Sequence, residues 1–191
     1  MSGGLAVFGY GSLASPASAA LSLGRPVEFA GIVRLVGWRR RWTVYRDNLT
    51  SEKTFALPDG SVPAHVVGLN IERDPGCAGV NGVLIEITEA EAGRLDLREM
   101  RYDRVDVTGD TEAAGFERVI AYTAKPAHHA PEPPPDAIVI AEYVRTVEAA
   151  FAALGAGELE AYAASSDPPP VPASEVRLVA DEIPPGNPRR W

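Results

Sequence analysis

The 191-residue sequence predicts an α+β fold, a small mixed β-barrel with flanking helices. Three observations lead there. Short apolar or alternating segments recur at 5–8, 27–45, 64–71, 82–87, 102–107 and 118–124, with turn signals between them. Helical spacing is confined to a few places: 17–23, the stretch after Thr88, 137–154 and 158–163. Hydrophobic residues at 46% and charged residues at 23% provide for one ordinary globular core, and there are no internal repeats.

Leu5, Ala6, Val7 and Phe8 form an apolar run of the kind seen in a strand buried on both faces. Gly9 and Gly11 then bracket Tyr10, and Ser12 follows. Glycine tolerates positive φ and close approach to the backbone. Such a turn aims several N–H groups into one concavity, which suits a carboxylate or phosphate. Ser15-Pro16 reads as a cap with proline at the first helical position, 17–23 as a helix and Gly24 as its stop. Two other readings of the loop stay open. Gly9-x-Gly11-x-x-Ala14 fits a relaxed dinucleotide fingerprint, with Glu28 about 20 residues on as its acidic ligand. The strand-rich segments that follow do not supply the alternation that fold needs. A tight turn with no ligand fits the local pattern equally well.

Alternation across 38–45 sets Trp38, Arg40, Trp42 and Val44 on one face and Arg39, Arg41, Thr43 and Tyr45 on the other, with Gly31 and Gly37 as bulges or bends. Three arginines between tryptophans suggest nucleic acid, but a net charge of −8 argues for arginines that snorkel or pair with acidic neighbours. Residues 46–63 read as a polar connection turning at Pro58-Asp59-Gly60. Residues 126–135, PAHHAPEPPP, are an extended crossing. Ile140, Val144, Val147, Phe151 and Leu154 then recur at helical spacing up to Gly155. The domain is expected to span 1–164. The proline-rich tail, 165–191, runs through Ile183-Pro184-Pro185-Gly186 and either wraps the domain or stays loose.

Thr88-x-x-Glu91 is a capping box that starts a helix. Ala92, Leu95 and Glu99 share its apolar face, so a carboxylate sits where hydrophilic residues are not expected. The bland alternative is a helix end at which Glu99 turns outward or pairs with Arg98 or Arg101. Asp96 and Asp103 are rival carboxylates, and Asp96 either orients Glu99 or faces water. His65, His128, His129 and Cys77 lack zinc-ligand spacing and read as structural or solvent-exposed, so no metal is expected. Cys77 is the single cysteine, which excludes an intramolecular disulfide. No apolar run reaches membrane length and the N-terminus lacks a signal-peptide pattern, so a cytoplasmic protein without membrane or nucleic-acid partners is expected. The sequon Asn48-Leu49-Thr50 is read as coincidental.

Two stretches, FGYGSL at 8–13 and LDLREMRYDRV at 95–105, resemble the opening and second motifs of the γ-glutamylcyclotransferase superfamily, including its ChaC-type glutathione-specific members. The glycine, aromatic and basic cluster at 37–42 and the Ala121-Tyr122, proline-rich crossing and helix that follow agree with it, so the likeness spans about residues 5–154. The resemblance implies Glu99 as catalytic acid/base and Tyr10, Gly11, Ser12 and Leu13 as the cradle for a γ-glutamyl group. It also implies Tyr102 and Tyr122 as pocket residues, with Tyr143 less firmly placed, and no metal or cofactor. The partner it implies is a small-molecule γ-glutamyl substrate, cyclised to 5-oxoproline with release of an amine. The chain departs from the motif in one respect: the glycine-containing spacer before Tyr102 is shortened to Met100-Arg101. The amine half stays open, with a tilt towards glutathione. A non-catalytic module of the same fold that binds a small carboxylate is the alternative.

Overall fold

The computed structural model describes residues 4–111, 115–185 and 187–188; Gly186 and residues 189–191 of the tail lie outside them. The strands and helices run β1 (Gly4–Gly9), α1 (Pro16–Leu23), β2 (Gly31–Leu35), β3 (Trp38–Asp47), β4 (Lys53–Ala56), β5 (His65–Arg73) and β6 (Val80–Ile87). They continue with α2 (Glu89–Arg98), β7 (Tyr102–Asp106), β8 (Phe116–Ala124), β9 (Ala137–Ile140), α3 (Ala141–Leu154), α4 (Glu158–Ala164), β10 (Ala173–Ser174) and β11 (Arg177–Asp181).

The apolar run at the N-terminus does what its composition dictates. β1 is the central strand of a five-stranded sheet ordered β2-β6-β1-β8-β7, antiparallel to β6 and parallel to β8. Ala6, Val7 and Phe8 are closed off from solvent on both faces. Gly82 makes the β1–β6 approach possible, because a Cβ there would meet Phe8 Cζ at 2.6 Å and Gly9 O at 2.7 Å.

The expected barrel is not what forms. The described strands make three sheets, of five, four and two strands, and the four-stranded one is ordered β10-β9-β5-β3. The chain turns at Gly37, where φ is 74°, and the strands on either side part company: β2 pairs with β6, β3 with β5. Where a barrel would continue the backbone ladder between β5 and β8, side chains make the junction. Asn70 Oδ1 on β5 accepts from the Ala124 N–H of β8 at 2.9 Å, and beside it the Tyr102 hydroxyl of β7 donates to Leu69 O at 2.8 Å.

Two further expectations need correction. Residues 137–140 are strand rather than the first turn of a helix: β9 pairs in parallel with β5, His65 facing Ala137 and Val66 facing Ile138. The β-branched run Ile138-Val139-Ile140 favours extended backbone, and its apolar residues fit either periodicity. Residues 46–63 contain a strand, β4, whose partner is β11 of the tail. The tail therefore wraps the domain.

Elsewhere local chemistry sets the elements as expected. The Ser15 hydroxyl accepts from the Ser18 N–H at 3.4 Å and Gly24 closes α1 at φ 75°. Thr88 and Glu91 complete a reciprocal capping box. On β3 the alternation holds until a register shift between Arg41 and Val44, which buries both Trp42 and Thr43. Arg39 and Arg41 pair with Asp74, Glu72 and Asp167. Arg40 does not snorkel, and among the described residues it has no acidic partner: it is 0% exposed, with its guanidinium over the rings of Phe151 and Tyr162. No helix among the described residues is long and apolar enough to cross a membrane.

Candidate active site

Where β1 ends the chain makes one 3₁₀ turn, Ser12–Ala14, before entering α1. The Ala14 N–H donates to Gly11 O at 2.9 Å and the Ser15 N–H to Ser12 O at 3.1 Å. Two side chains fix this loop from opposite sides. The Tyr10 hydroxyl donates to Tyr122 O on β8 at 2.7 Å, and Arg40 Nε donates to Tyr10 O at 2.8 Å. Gly11 does not use the positive φ that glycine permits, since its φ is −133°. It is needed for closeness instead: a Cβ there would lie 3.1 Å from the Tyr143 hydroxyl. Gly11→Ala is expected to push Tyr143 off the loop and to weaken ligand binding with little loss of fold, measured as the ligand-induced rise in Tm against the ligand-free Tm.

The carboxylate comes from α2. Its inner face carries Ala92 and Leu95, both 0% exposed, and Glu99 caps the helix on the same side, its N–H donating to Leu95 O at 2.8 Å. The Glu99 side chain is 17% exposed and pairs with Arg98 Nη1 at 2.9 Å. Glu99 thus lines a cavity and has an arginine partner. Arg101 is engaged elsewhere, in a two-pronged pair with Glu52 at 3.1 and 2.9 Å. Arg98 also reaches across to the loop, Nη2 donating to Ser12 Oγ at 2.9 Å. One guanidinium therefore ties the carboxylate to the glycine turn. Burial pushes the Glu99 pKa up, and the Arg98 charge only partly opposes it.

Between loop and carboxylate lies a niche of about 360 Å³, its open mouth included, bordered by Tyr10, Gly11, Ser12, Leu13 and Tyr122. It continues into a cleft of about 950 Å³, counted to its open mouth. Ser12, Arg98, Glu99, Tyr102 and Tyr143 border both. The structure thus brings Glu99, the four loop residues, Tyr102 and Tyr122 around one hollow. The short Met100-Arg101 spacer leaves Tyr102 there, with its phenol bonded to Leu69 O. Tyr122 sits deeper, its hydroxyl donating to Asp96 Oδ1 at 2.8 Å. Asp96 also pairs with Arg104, and Asp103 is exposed on β7.

Two features, the Arg98 link and Ile183, escaped the sequence reading, and a third, Tyr143, was only loosely placed by it. Arg98 links Ser12 to Glu99; nothing local marks that contact. Tyr143 enters the cavity from α3, with its ring edge-on to Trp42 at 6.1 Å. The resemblance implied it less firmly than Tyr102 and Tyr122, and in the sequence it stands beside Val144 of the helix's apolar side. Ile183 reaches the cleft from the tail. The histidines lie apart from this hollow. His129 Nε2 is 2.9 Å from Glu72 Oε1, His65 Nδ1 is 2.9 Å from Pro135 O, and His128 packs edge-on to Tyr45. Among the described residues no cluster of three His, Cys, Asp or Glu could hold a metal ion.

No protein-family model matches the chain, and no curated protein matches it by sequence. Solved structures do match in fold. An uncharacterized human protein superposes with a TM-score of 0.60 at 16% identity, over 89% of this chain and 92% of that one. A gamma-glutamyl cyclotransferase gives a TM-score of 0.56 at 15% identity, over 89% and 93%. YkqA from Bacillus subtilis gives 0.54 at 19% identity over 82% of this chain; the chain spans 52% of that protein's length. At such identities the likeness is one of fold.

Proposed function

We propose that this chain, which has the fold of a γ-glutamyl cyclotransferase structure, is itself a γ-glutamylcyclotransferase: it converts a γ-glutamyl amide or peptide to 5-oxoproline and a free amine. One observation carries the reading. A shielded carboxylate, Glu99, faces a glycine turn across a niche, and Arg98 bonds to both.

The chemistry follows from that arrangement. The substrate's α-ammonium gives one proton to Glu99, and the freed amine attacks the γ-carbonyl carbon of the same molecule. A ring C–N bond forms and the carbonyl oxygen becomes an oxyanion. Glu99 then passes its proton to the departing nitrogen as the original amide bond breaks. The surplus proton on the ring nitrogen ends on the released amine, which leaves as an ammonium ion. Because the attack is intramolecular, a pocket that holds the chain curled removes several kcal/mol of barrier, and no nucleophilic side chain is needed. A group that both takes and gives a proton works best with a pKa drawn towards neutrality, and burial moves Glu99 in that direction. Loop N–H groups from Tyr10 to Leu13, with Arg98 beside them, suit the substrate's α-carboxylate or the oxyanion.

The test is a panel of γ-glutamyl compounds, glutathione included, assayed for 5-oxoproline. Release from at least one is expected. Silence across the panel overturns the catalytic reading in favour of a carboxylate-binding module.

A further inference from the structure

The hollow divides into two parts with different owners. The niche beside Glu99 takes its walls from β1, its loop, β5, α2, β7, β8 and α3, and no described residue of the tail borders it. The outer cleft is different. Ile183, 6% exposed, borders it together with Phe55, Val66 and Ile140. The tail also holds the neighbouring wall in place. Among the described strands β4 pairs with β11 alone, Asp181 opposite Lys53 and Leu178 opposite Phe55. One residue further on, the Glu182 N–H donates to Glu52 O at 2.8 Å. That backbone link anchors the residue whose carboxylate grips Arg101 at the cleft's edge.

A γ-glutamyl amide has a constant end, which the niche beside Glu99 fits, and a variable amine half, which must then lie in the outer cleft. We infer that segment 177–183 sets which amine half the site accepts, with Ile183 as the specificity-determining residue, and that the site favours amines bearing an apolar side chain. The inference rests on the cyclotransferase reading. Ile183, Phe55, Val66 and Ile140 offer hydrocarbon to such a side chain, and a lost apolar contact in a pocket is read as a change in relative kcat/KM rather than in rate for every substrate.

The experiment compares γ-glutamyl-leucine with γ-glutamyl-glycine on the full chain, as kcat/KM for 5-oxoproline release and as Kd by calorimetric titration. Ile183→Ala is expected to lower the leucine-to-glycine ratio about tenfold by removing the contact. Ile183→Trp is expected to lower it by a similar factor, about tenfold, by filling the space, and it decides the matter if the alanine variant fails to fold. A ratio unchanged in the folded variants overturns the inference, and so does a uniform fall for both compounds, which marks a purely structural role. If the wild-type chain binds these compounds without releasing 5-oxoproline, the Kd ratio judges Ile183 by the same criterion, and the catalytic reading is decided by the full panel. A chain that neither converts nor binds either compound overturns the inference.

Discussion

Replacing Glu99 with glutamine is expected to cut 5-oxoproline release by about 100-fold or more while leaving the fold intact, following the usual worth of a general acid–base group. Glutamine keeps the shape and the hydrogen-bonding oxygen that faces Arg98 but carries no transferable proton at neutral pH. The same change has a second, opposite consequence for stability. Burial raises the Glu99 pKa in the folded chain, so the native state binds a proton that the unfolded state has already released. Its contribution is therefore fully present below the unfolded carboxylate pKa and is lost as pH rises through the folded value. Wild type should lose stability over that window and Glu99→Gln should not. Urea unfolding of the two proteins on both sides of the window checks this. The variant should be the more stable at neutral pH, and the advantage should shrink in acid. Undiminished turnover in Glu99→Gln would move the proton transfer to another group. A variant less stable than wild type at neutral pH would mean that the Arg98 pair outweighs the desolvation of the carboxylate.

Arg40→Met is expected to destabilise the chain by roughly 3 kcal/mol. Arg40 is wholly buried and meets no carboxylate among its described partners. Its donors instead serve Tyr10 O at 2.8 Å, Ser165 Oγ at 2.8 Å, Asn81 Oδ1 at 3.1 Å and the Asn81 backbone carbonyl. The cation lies against the stacked rings of Phe151 and Tyr162, 4.7 and 4.6 Å from their centroids. Methionine fills much of the volume and removes the cost of a buried charge, which favours the variant by several kcal/mol. It also strands three or more buried acceptors, each worth about 1–3 kcal/mol, and gives up two cation–π contacts. The stranded acceptors win by a modest margin. Lysine recovers little, because an ammonium cannot reach three directions from one plane. A shift in the urea midpoint with unchanged m-value is the measurement, and a midpoint equal to wild type would show that the charge costs as much as its donors return.

The parts legible in the sequence were those set by neighbours in the chain. The apolar run at 5–8, the Ser15-Pro16 start, the Thr88 and Glu91 capping box and the inward position of Glu99 each depend on spacing within a few residues. Pairings between distant segments were not legible. β4 is four residues long, opens on a lysine and finds its partner more than 120 residues later, so nothing nearby marks it as a strand. Whether sheets close into a barrel is likewise decided at a junction such as β5–β8, where side chains replace the ladder. Arg40 is an intermediate case. Alternation put it on the face shared by Trp38 and Trp42, so its inward position was in the pattern, while its charge pointed the other way.

The central place of β1 bears on how the chain is made. Residues 4–9 leave the ribosome well before their partners, residues 83–87 and 116–120. The strand must wait, unpaired and apolar, until residues 83–87 have been made, and its loop cannot be fixed before Tyr122 is in place. Such distant contacts give high contact order and slow closure. Refolding on the millisecond-to-second scale is therefore the natural expectation, with tyrosine burial around the hollow among the last events.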